Sequence, residues 1–167
     1  AVSSNRTLSQ RLAAGGALGG WCGFASFCGV ELMCRLEYDF LVLDFQHCEV
    51  MAAHLPALFG AFRPGGPAPV VRVAENGYHA INWLFDIGAA GVIVPMTNSV
   101  EAAEAAVRAA KYPPLGRRSF GPFRSACYGT ELELYAPKAN SLSALIIQIE
   151  DYRAAEQIDS MLAVSGI

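Results

Sequence analysis

Three apolar stretches of the sequence carry polar side chains whose types could perform chemistry. FLVLDFQHCEV places Asp44, Gln46 and His47 within four positions, VVRVA holds Arg72 among aliphatic residues, and LIIQIE ends in Glu150. An imidazole beside a carboxylate suits general acid–base chemistry. A guanidinium suits binding of a carboxylate or enolate oxygen, and a carboxylate suits binding of a hard divalent cation. The three stretches therefore predict one shared site.

Each of these residues also has a purely structural interpretation. A charge inside a short apolar strand needs a partner, so Arg72 could form a structural ion pair with Asp44 or Glu150 instead of binding a ligand. A lone aspartate after a strand is often a helix cap, and a lone histidine is often a packing residue. From the sequence alone, Arg72 could therefore serve either in a structural ion pair or in binding a ligand.

The charge at the end of LIIQIE favours Mg²⁺ or Mn²⁺ over zinc. An ionised Glu150 needs a metal, an arginine or water. The five cysteines show no CxxC spacing, and no cysteine–histidine set has the spacing of a zinc site. His47 could then act as a general base that Asp44 holds in orientation. We assign no role to His54 and His79, which fall in or near helical patterns.

The elements that must position these residues form a repeated β–α pattern. Apolar runs predict strands, and the helical periods between them predict helices that cover the sheet. The predicted strands are 19–26, 40–46, 70–74, 91–96 and 144–150, and the predicted helices are 29–37, 50–62, 78–88, 99–112 and 153–165. A short helical piece is predicted near ELELYAPKAN. Ser99 or Asn98 should cap the fourth helix, and Gly88 should follow the third at its C′ position.

Near-continuous apolar strands are typical of a parallel sheet covered by helices. Strand–helix alternation permits an open doubly wound sheet or a (β/α)8 barrel. In both folds the carboxyl ends of the strands form the functional edge, which is where Asp44, Arg72 and Glu150 are predicted to lie. The loop YPPLGRRSFGPFR follows a helix and is therefore expected to begin on the opposite side of the sheet.

Composition restricts the class of protein. The chain has 167 residues, 53% of them hydrophobic and 16% charged, with a net charge of -3. These values indicate one globular domain spanning 1–167 and argue against nucleic acid as a partner. No apolar run reaches the ~20 residues of a membrane span, and no leader opens the chain. We expect a cytoplasmic protein without a membrane partner.

Several segments together resemble the HpcH/HpaI aldolase family. They are YDFLVLDFQHCEV, the stretch from VVRVAENGYHAINWLFDIG through GVIVPM to YPPLGRRSFGP, and ALIIQIED. The similarity runs from about Asn5 to Ile167. The family includes the 4-hydroxy-2-oxoheptanedioate and 2-dehydro-3-deoxyglucarate aldolases. The RSFGP variant resembles a branch that includes macrophomate synthase.

The resemblance implies a (β/α)8 barrel in a homo-oligomer, usually a hexamer. It implies divalent-metal-dependent cleavage of a 4-hydroxy-2-oxo acid to pyruvate and an aldehyde, with Mg²⁺ or Mn²⁺ as cofactor and Co²⁺ as a further possibility. It implies Glu150 as a metal ligand, Arg72 as the residue that steadies the enolate oxygen, and His47 with Asp44 as the acid–base pair. Arg72 and Gln46 would bind the substrate. The runner-up chemistry is oxaloacetate decarboxylation with enolate addition, as in the macrophomate synthase branch.

Two departures from the family pattern bear on these expectations. Gln46 stands where many family members carry glutamate, which removes one negative charge. The family's second metal-binding carboxylate belongs to a segment expected beyond Ile167, and five β–α units cannot close a barrel of ~250 residues. We expect a fragment of a longer chain. A natural, inactive half-barrel that serves as an assembly module is the alternative.

Overall fold

The computed structural model describes residues 7–167, so Ala1 and Asn5, the first residue and the expected start of the family resemblance, lie outside the described residues. Five strands are present: β1 (Gly19–Cys22), β2 (Phe40–Asp44), β3 (Ala68–Arg72), β4 (Gly91–Val94) and β5 (Ala144–Ile147). The α-helices are α1 (Leu8–Ala14), α2 (Phe27–Met33), α3 (Leu55–Leu58), α4 (Tyr78–Asp86), α5 (Val100–Ala110), α6 (Leu132–Tyr135), α7 (Ala139–Leu142), α8 (Tyr152–Ala155) and α9 (Ile158–Leu162).

The strands form a single parallel sheet in the order β1-β2-β3-β4-β5. Helical segments alternate with the strands along the chain, which confirms the predicted parallel α/β architecture. Short 3₁₀ segments at 59–61, 124–129 and 136–138 complete the connections. None of the helices within residues 7–167 combines the length and apolar character needed to cross a bilayer.

The two faces of the sheet have different partners. One face packs against the helices through residues such as Leu43, Val71 and Val92, which are fully buried in the main core. The opposite face, here called the site face, carries Val42 and Val70 in a smaller cluster with Leu8 of α1. Because side chains alternate along a strand, Asp44 and Arg72 fall on the site face, two positions beyond these valines.

Local sequence explains where the helices begin and end. The side chain of Ser99 accepts a hydrogen bond from the Ala102 N–H, so Ser99 is the predicted cap of α5. Gly88 follows the end of α4 with φ of 109°, a conformation that glycine adopts without steric cost. Thr7 and Gln10 form a reciprocal capping box at α1, a helix that the sequence analysis did not predict.

Several predicted boundaries are too long. The first strand ends at Cys22, not at residue 26, because Ser26 already caps α2. The predicted helix 50–62 is only one α-helical turn, α3, followed by the 3₁₀ segment. The predicted fifth helix is divided into α8 and α9. The helical piece predicted near ELELYAPKAN is confirmed as α6 and α7 with a 3₁₀ turn between them.

The loop after α5 is anchored by a buried arginine. The guanidinium of Arg118 donates to Asp86 Oδ1 at 2.6 Å, and its Cζ lies 4.5 Å from the centre of the Tyr112 ring. Lys111 at the end of α5 donates its ammonium hydrogens to the carbonyls of Asn140 and Ser143. The loop is therefore held against α4 and the start of α7.

Candidate active site

Strand register brings Asp44 and Arg72 together. Asp44 ends β2, Arg72 ends β3, and the two residues are direct partners in the parallel ladder. Paired residues on neighbouring strands project to the same face, so a carboxylate and a guanidinium meet at the carboxyl edge of the site face. This pairing identifies Asp44 as the ion-pair partner of Arg72, and the binding of a ligand by Arg72 stays a prediction.

The contact between them is bidentate. Arg72 Nε donates to Asp44 Oδ1 at 2.9 Å, and Arg72 Nη2 donates to Asp44 Oδ2 at 2.5 Å. The side chains of Arg72 and Asp44 are 12% and 2% exposed, respectively. Nη1 of Arg72 makes no hydrogen bond with any residue from 7 to 167. The pair therefore leaves one end of the guanidinium free for a ligand.

Three further donors converge on the Asp44 carboxylate. The Gln46 backbone N–H donates to Oδ1 at 3.0 Å, the Trp21 indole Nε1 donates to Oδ2 at 3.2 Å, and the Cys48 thiol donates to Oδ2 at 3.4 Å. Burial alone would raise the pKa of Asp44, but the hydrogen bonds from Arg72 and these donors outweigh it and hold that pKa well below its ordinary value. Asp44 is therefore ionised throughout the neutral range.

The sequence analysis did not identify Trp21 and Cys48 as residues of the site. Trp21 is assigned there only to the first strand, yet the Arg72 Cζ lies 4.9 Å from the centre of its ring. Cys48 has no assigned role in the sequence analysis, yet its exposed thiol contacts Asp44, and this hydrogen bond raises the pKa of the thiol. The sequence shows an aromatic residue in the predicted first strand, but its neighbours across the sheet depend on register.

Glu150 lies at the same edge of the sheet. Its Oε2 accepts a hydrogen bond from the Met96 N–H at 2.7 Å, and its own N–H donates to Asn98 Oδ1 at 2.9 Å. Met96 has φ of 51°, a value that is uncommon for residues other than glycine. The hydrogen bond to Asp44 is the main cause of the raised pKa of Arg72, and the negative charge of Glu150 contributes. Glu150 is therefore close enough to Arg72 to act on its charge.

His47 makes no hydrogen bond with this cluster. It is exposed, and within the described part of the chain no hydrogen bond involves its side chain. No hydrogen bond joins His47 to Asp44, whose two carboxylate oxygens accept from other donors, so the orientation of His47 by Asp44 stays a prediction. Gln46 is nearer the interior, and its buried side-chain Oε1 has no hydrogen-bond donor among residues 7–167.

Residues 7–167 contain no complete metal-binding cluster. No three histidine, cysteine, aspartate or glutamate side chains in this range converge as a metal cluster. Glu150 offers an exposed hard donor, since only its Oε2 is used by a described hydrogen bond. A carboxylate oxygen at an edge beside a cationic Arg72 fits one ligand of a divalent ion. Asp44, by contrast, is fully engaged by its donors.

Comparison with known proteins places this geometry in a family. A model of the HpcH/HpaI aldolase/citrate lyase family matches residues 21–167. A hydroxypyruvate/pyruvate aldolase from Rhizorhabdus wittichii is 36% identical over 152 residues, which cover 90% of this chain and 59% of that protein. The chain therefore spans less than two thirds of the length of this relative.

Solved structures agree with the sequence comparison. An HpcH/HpaI aldolase from Desulfitobacterium hafniense matches with a TM-score of 0.84 and 28% identity over 96% of this chain and 63% of the other. Macrophomate synthase matches with a TM-score of 0.78 and 25% identity over 90% and 54%. These neighbours are TIM-barrel-type folds, which confirms the predicted fold class. The chain belongs to the HpcH/HpaI aldolase/citrate lyase family.

Proposed function

We propose that the protein is a divalent-metal-dependent carbon–carbon lyase that cleaves 4-hydroxy-2-oxo acids to pyruvate and an aldehyde. The observation that carries this proposal is the bidentate Asp44–Arg72 pair at the carboxyl edge of the sheet, with Glu150 at the same edge. The similarity to a hydroxypyruvate/pyruvate aldolase supports a substrate that contains a 2-oxo acid.

Arg72 is the proposed stabiliser of the enolate. Cleavage of the bond between C3 and C4 leaves negative charge on the oxygen of C2, and a preorganised cation lowers the energy of that state. Asp44 fixes Nε and Nη2, which leaves Nη1 as the donor for the substrate. Because Asp44 stays ionised and engaged, its proposed role is to orient Arg72 and keep it charged, not to exchange protons itself.

His47 is the proposed general base for the 4-hydroxyl group. Removal of this proton produces the aldehyde carbonyl as the C3–C4 bond breaks and the electron pair passes into the enolate. The exposed imidazole would act through a water molecule. Substrate or solvent would then orient the imidazole, since Asp44 makes no hydrogen bond to it. Gln46 is the proposed additional substrate-binding residue, and its orphaned Oε1 could accept a hydrogen bond from the bound ligand or its water.

Glu150 is the proposed metal ligand, and a second carboxylate is expected beyond Ile167. A divalent ion such as Mg²⁺, Mn²⁺ or Co²⁺ supplies Lewis acidity toward the carboxylate and ketone oxygens of a 2-oxo acid. The N–H of Met96 holds Glu150 Oε2, which orients the carboxylate at the edge. Replacement of the usual glutamate by Gln46 makes the site less negative and thus affects the substrate range.

The experiment is a metal-supplemented screen of several 4-hydroxy-2-oxo acids and of oxaloacetate, with pyruvate release coupled to lactate dehydrogenase. We expect pyruvate from at least one 4-hydroxy-2-oxo acid, and a reduction of at least about 100-fold in Arg72→Ala and His47→Ala, the scale of a lost general base or charge stabiliser. Two exposed residues outside the site provide matched controls, Arg108→Ala and His79→Ala, which should retain wild-type turnover. Unchanged turnover in Arg72→Ala or His47→Ala would show that the role assigned to that residue is wrong.

Enolate chemistry on oxaloacetate is the second candidate. The structural similarity to macrophomate synthase and the RSFGP segment favour it. Decarboxylation of oxaloacetate produces the same enolate, so it needs Arg72 but no base for a 4-hydroxyl group. Activity on oxaloacetate that survives His47→Ala, together with no activity on 4-hydroxy-2-oxo acids, would favour this candidate.

A half-barrel that serves as an assembly module is the non-catalytic alternative. We propose instead that residues 1–167 form one unit of a longer (β/α)8 chain in a homo-oligomer, a hexamer by family resemblance. Intact mass and metal content of the purified protein distinguish the two. A mass near 17.8 kDa with no bound divalent ion supports the module. A chain of ~250 residues with one ion per subunit supports the enzyme.

A further inference from the structure

Trp21 contacts both members of the Asp44–Arg72 pair. Its indole Nε1 donates to Asp44 Oδ2 at 3.2 Å, and the centre of its ring lies 4.9 Å from the Arg72 Cζ. Trp21 pairs in register with Val42, two positions before Asp44 on the neighbouring strand. Its side chain is 49% exposed in the part of the chain that the structure describes.

The two contacts restrict different motions of Arg72. The indole N–H fixes one oxygen of the carboxylate that receives Nη2, which limits rotation of the Asp44 side chain. The aromatic ring covers the guanidinium and opposes its movement out of the plane shared with the carboxylate. A phenylalanine would keep the aromatic contact and lose the N–H, whereas a leucine would lose both.

We propose that Trp21 is a positioning residue that holds the guanidinium of Arg72 in bidentate contact with Asp44 and so aims Nη1 at the substrate oxygen. The proposal rests on the proposed role of Arg72 as the enolate stabiliser. Trp21 acts through the pair and not by transfer of protons or electrons. Its removal should reduce stabilisation of the transition state more than binding of the substrate.

The test compares Trp21→Phe and Trp21→Leu with Trp83→Phe in the full-length protein. Trp83 is the only other tryptophan of the 167 residues, and it lies half-buried in α4 beside the main core. We expect a decrease in kcat of about tenfold for Trp21→Phe, the value for one hydrogen bond to a charged group. We expect about 100-fold for Trp21→Leu, because the ring contact is lost as well. KM should change less than about threefold, and Trp83→Phe should stay within about twofold of wild type.

Measuring the effect of Trp21→Phe on kcat in an Asp44→Asn variant separates a positioning role of Trp21 from general damage to the fold. In Asp44→Asn, the partner of the indole N–H is no longer a carboxylate, so adding Trp21→Phe should change kcat less than about twofold. A lesion that merely destabilises the protein would reduce kcat by the same factor in both backgrounds. An equal, roughly tenfold effect in the two backgrounds overturns the proposal.

Crystal structures of the variants provide a readout that does not depend on turnover. The bidentate contact should be partly disordered in Trp21→Phe, which loses the indole N–H, and be lost in Trp21→Leu. Retention of the wild-type Arg72 position in Trp21→Leu overturns the proposal, whatever the kinetics show. If the wild-type protein releases no pyruvate from any substrate, the proposed function fails, and the position of Arg72 in these structures still decides the inference.

Discussion

Replacing Asp44 by asparagine should destabilise the protein strongly, although the two side chains have nearly the same shape. The asparagine side chain could still accept from Arg72 Nε through its single oxygen. Its amide nitrogen would then face Arg72 Nη2, the Trp21 indole and the Cys48 thiol, all of which are donors in the wild type. The substitution therefore removes hydrogen bonds and deprives Arg72 of its ion-pair partner.

The size of the effect follows from the burial of the pair. Removal of one partner of a buried ion pair costs about 3–5 kcal/mol, because the remaining charge is buried and uncompensated. The Asp44 side chain is 2% exposed and the Arg72 side chain 12%, so water can reach the guanidinium to a limited extent. We expect a decrease in the free energy of unfolding of about 3 kcal/mol at pH 7, the lower end of that range.

The pH dependence should change together with the stability. The pKa of Asp44 is lowered in the folded protein relative to ~3.9 in an unfolded chain. The folded state therefore gains stability above that unfolded value and loses it as the pH falls toward the lower folded value. Wild-type stability should decrease from about pH 5 downward, and Asp44→Asn should lack this part of the decrease.

Urea unfolding followed by circular dichroism measures both effects. Glu104→Gln is the matched control, because Glu104 forms an ion pair with Arg108 in which both side chains are about half exposed. This control should change the free energy of unfolding by less than ~0.5 kcal/mol. The reasoning is refuted if Asp44→Asn unfolds within about 0.5 kcal/mol of wild type at pH 7, the scale of that exposed pair.

A double-mutant cycle of Asp44 and Arg72 tests whether the loss of stability comes from an unpaired buried charge. Asp44→Leu and Arg72→Met should each be destabilising, whereas the double variant replaces the pair by two apolar side chains and leaves no uncompensated charge. The double variant should therefore be more stable than the sum of the single effects predicts by about 1–3 kcal/mol. Strict additivity would mean that the two side chains do not stabilise each other's charge.

Three further outcomes are expected. Gly116→Ala should lose about 2–3 kcal/mol in thermal or urea unfolding, because an added Cβ would lie 2.2 Å from the carbonyl oxygen of Lys111; unchanged stability would contradict this. Burial lowers the pKa of Lys111 to about 8, so the unfolded chain binds more protons between pH 8 and ~10.4. Wild-type stability should thus gain a component rising over that interval, which Lys111→Met lacks; parallel pH profiles would argue against it. Alkylation of the Cys48 thiol at about pH 8 should become several-fold faster in Asp44→Asn, since the hydrogen bond to Asp44 raises the Cys48 pKa, with the exposed Cys28 as internal reference in peptide mass spectrometry.

The elements were predictable because the strands are short, apolar and separated by clear helical starts and stops. Ser99 and Gly88 occupy their predicted capping positions for local reasons that are visible in the sequence. Boundaries were overestimated where apolar residues continue beyond the hydrogen-bonded ladder, as at Ile149 after β5. Hydrophobicity reports burial, and loop residues at the edge of a sheet can be buried without belonging to a strand.

The sequence predicted which charged residues gather at the edge of the sheet, but not which of them contact one another. The charge of Arg72 among valines required a partner, and the sequence offered both Asp44 and Glu150. The choice depends on register, which places residue 44 opposite residue 72, and register is a property of the assembled sheet. The contacts of Trp21 were hidden for the same reason, because a strand pattern does not identify the side chain on the neighbouring strand.

Burial and charge pairing explain why His47 and Asp44 form no hydrogen bond although they lie close together in sequence. A buried carboxylate beside a buried guanidinium gains more from a bidentate contact than from an exposed imidazole, which water already solvates. The strand residues of the site therefore satisfy one another, whereas His47 and Glu150 lie in loops at the exposed edge with unused polar atoms. Such a division would provide a fixed cation for a developing negative charge and leave the proposed base and the proposed metal-binding carboxylate free to meet a ligand. It also means that substitutions of Asp44 should impair both folding and turnover, while substitutions of His47 should impair turnover alone.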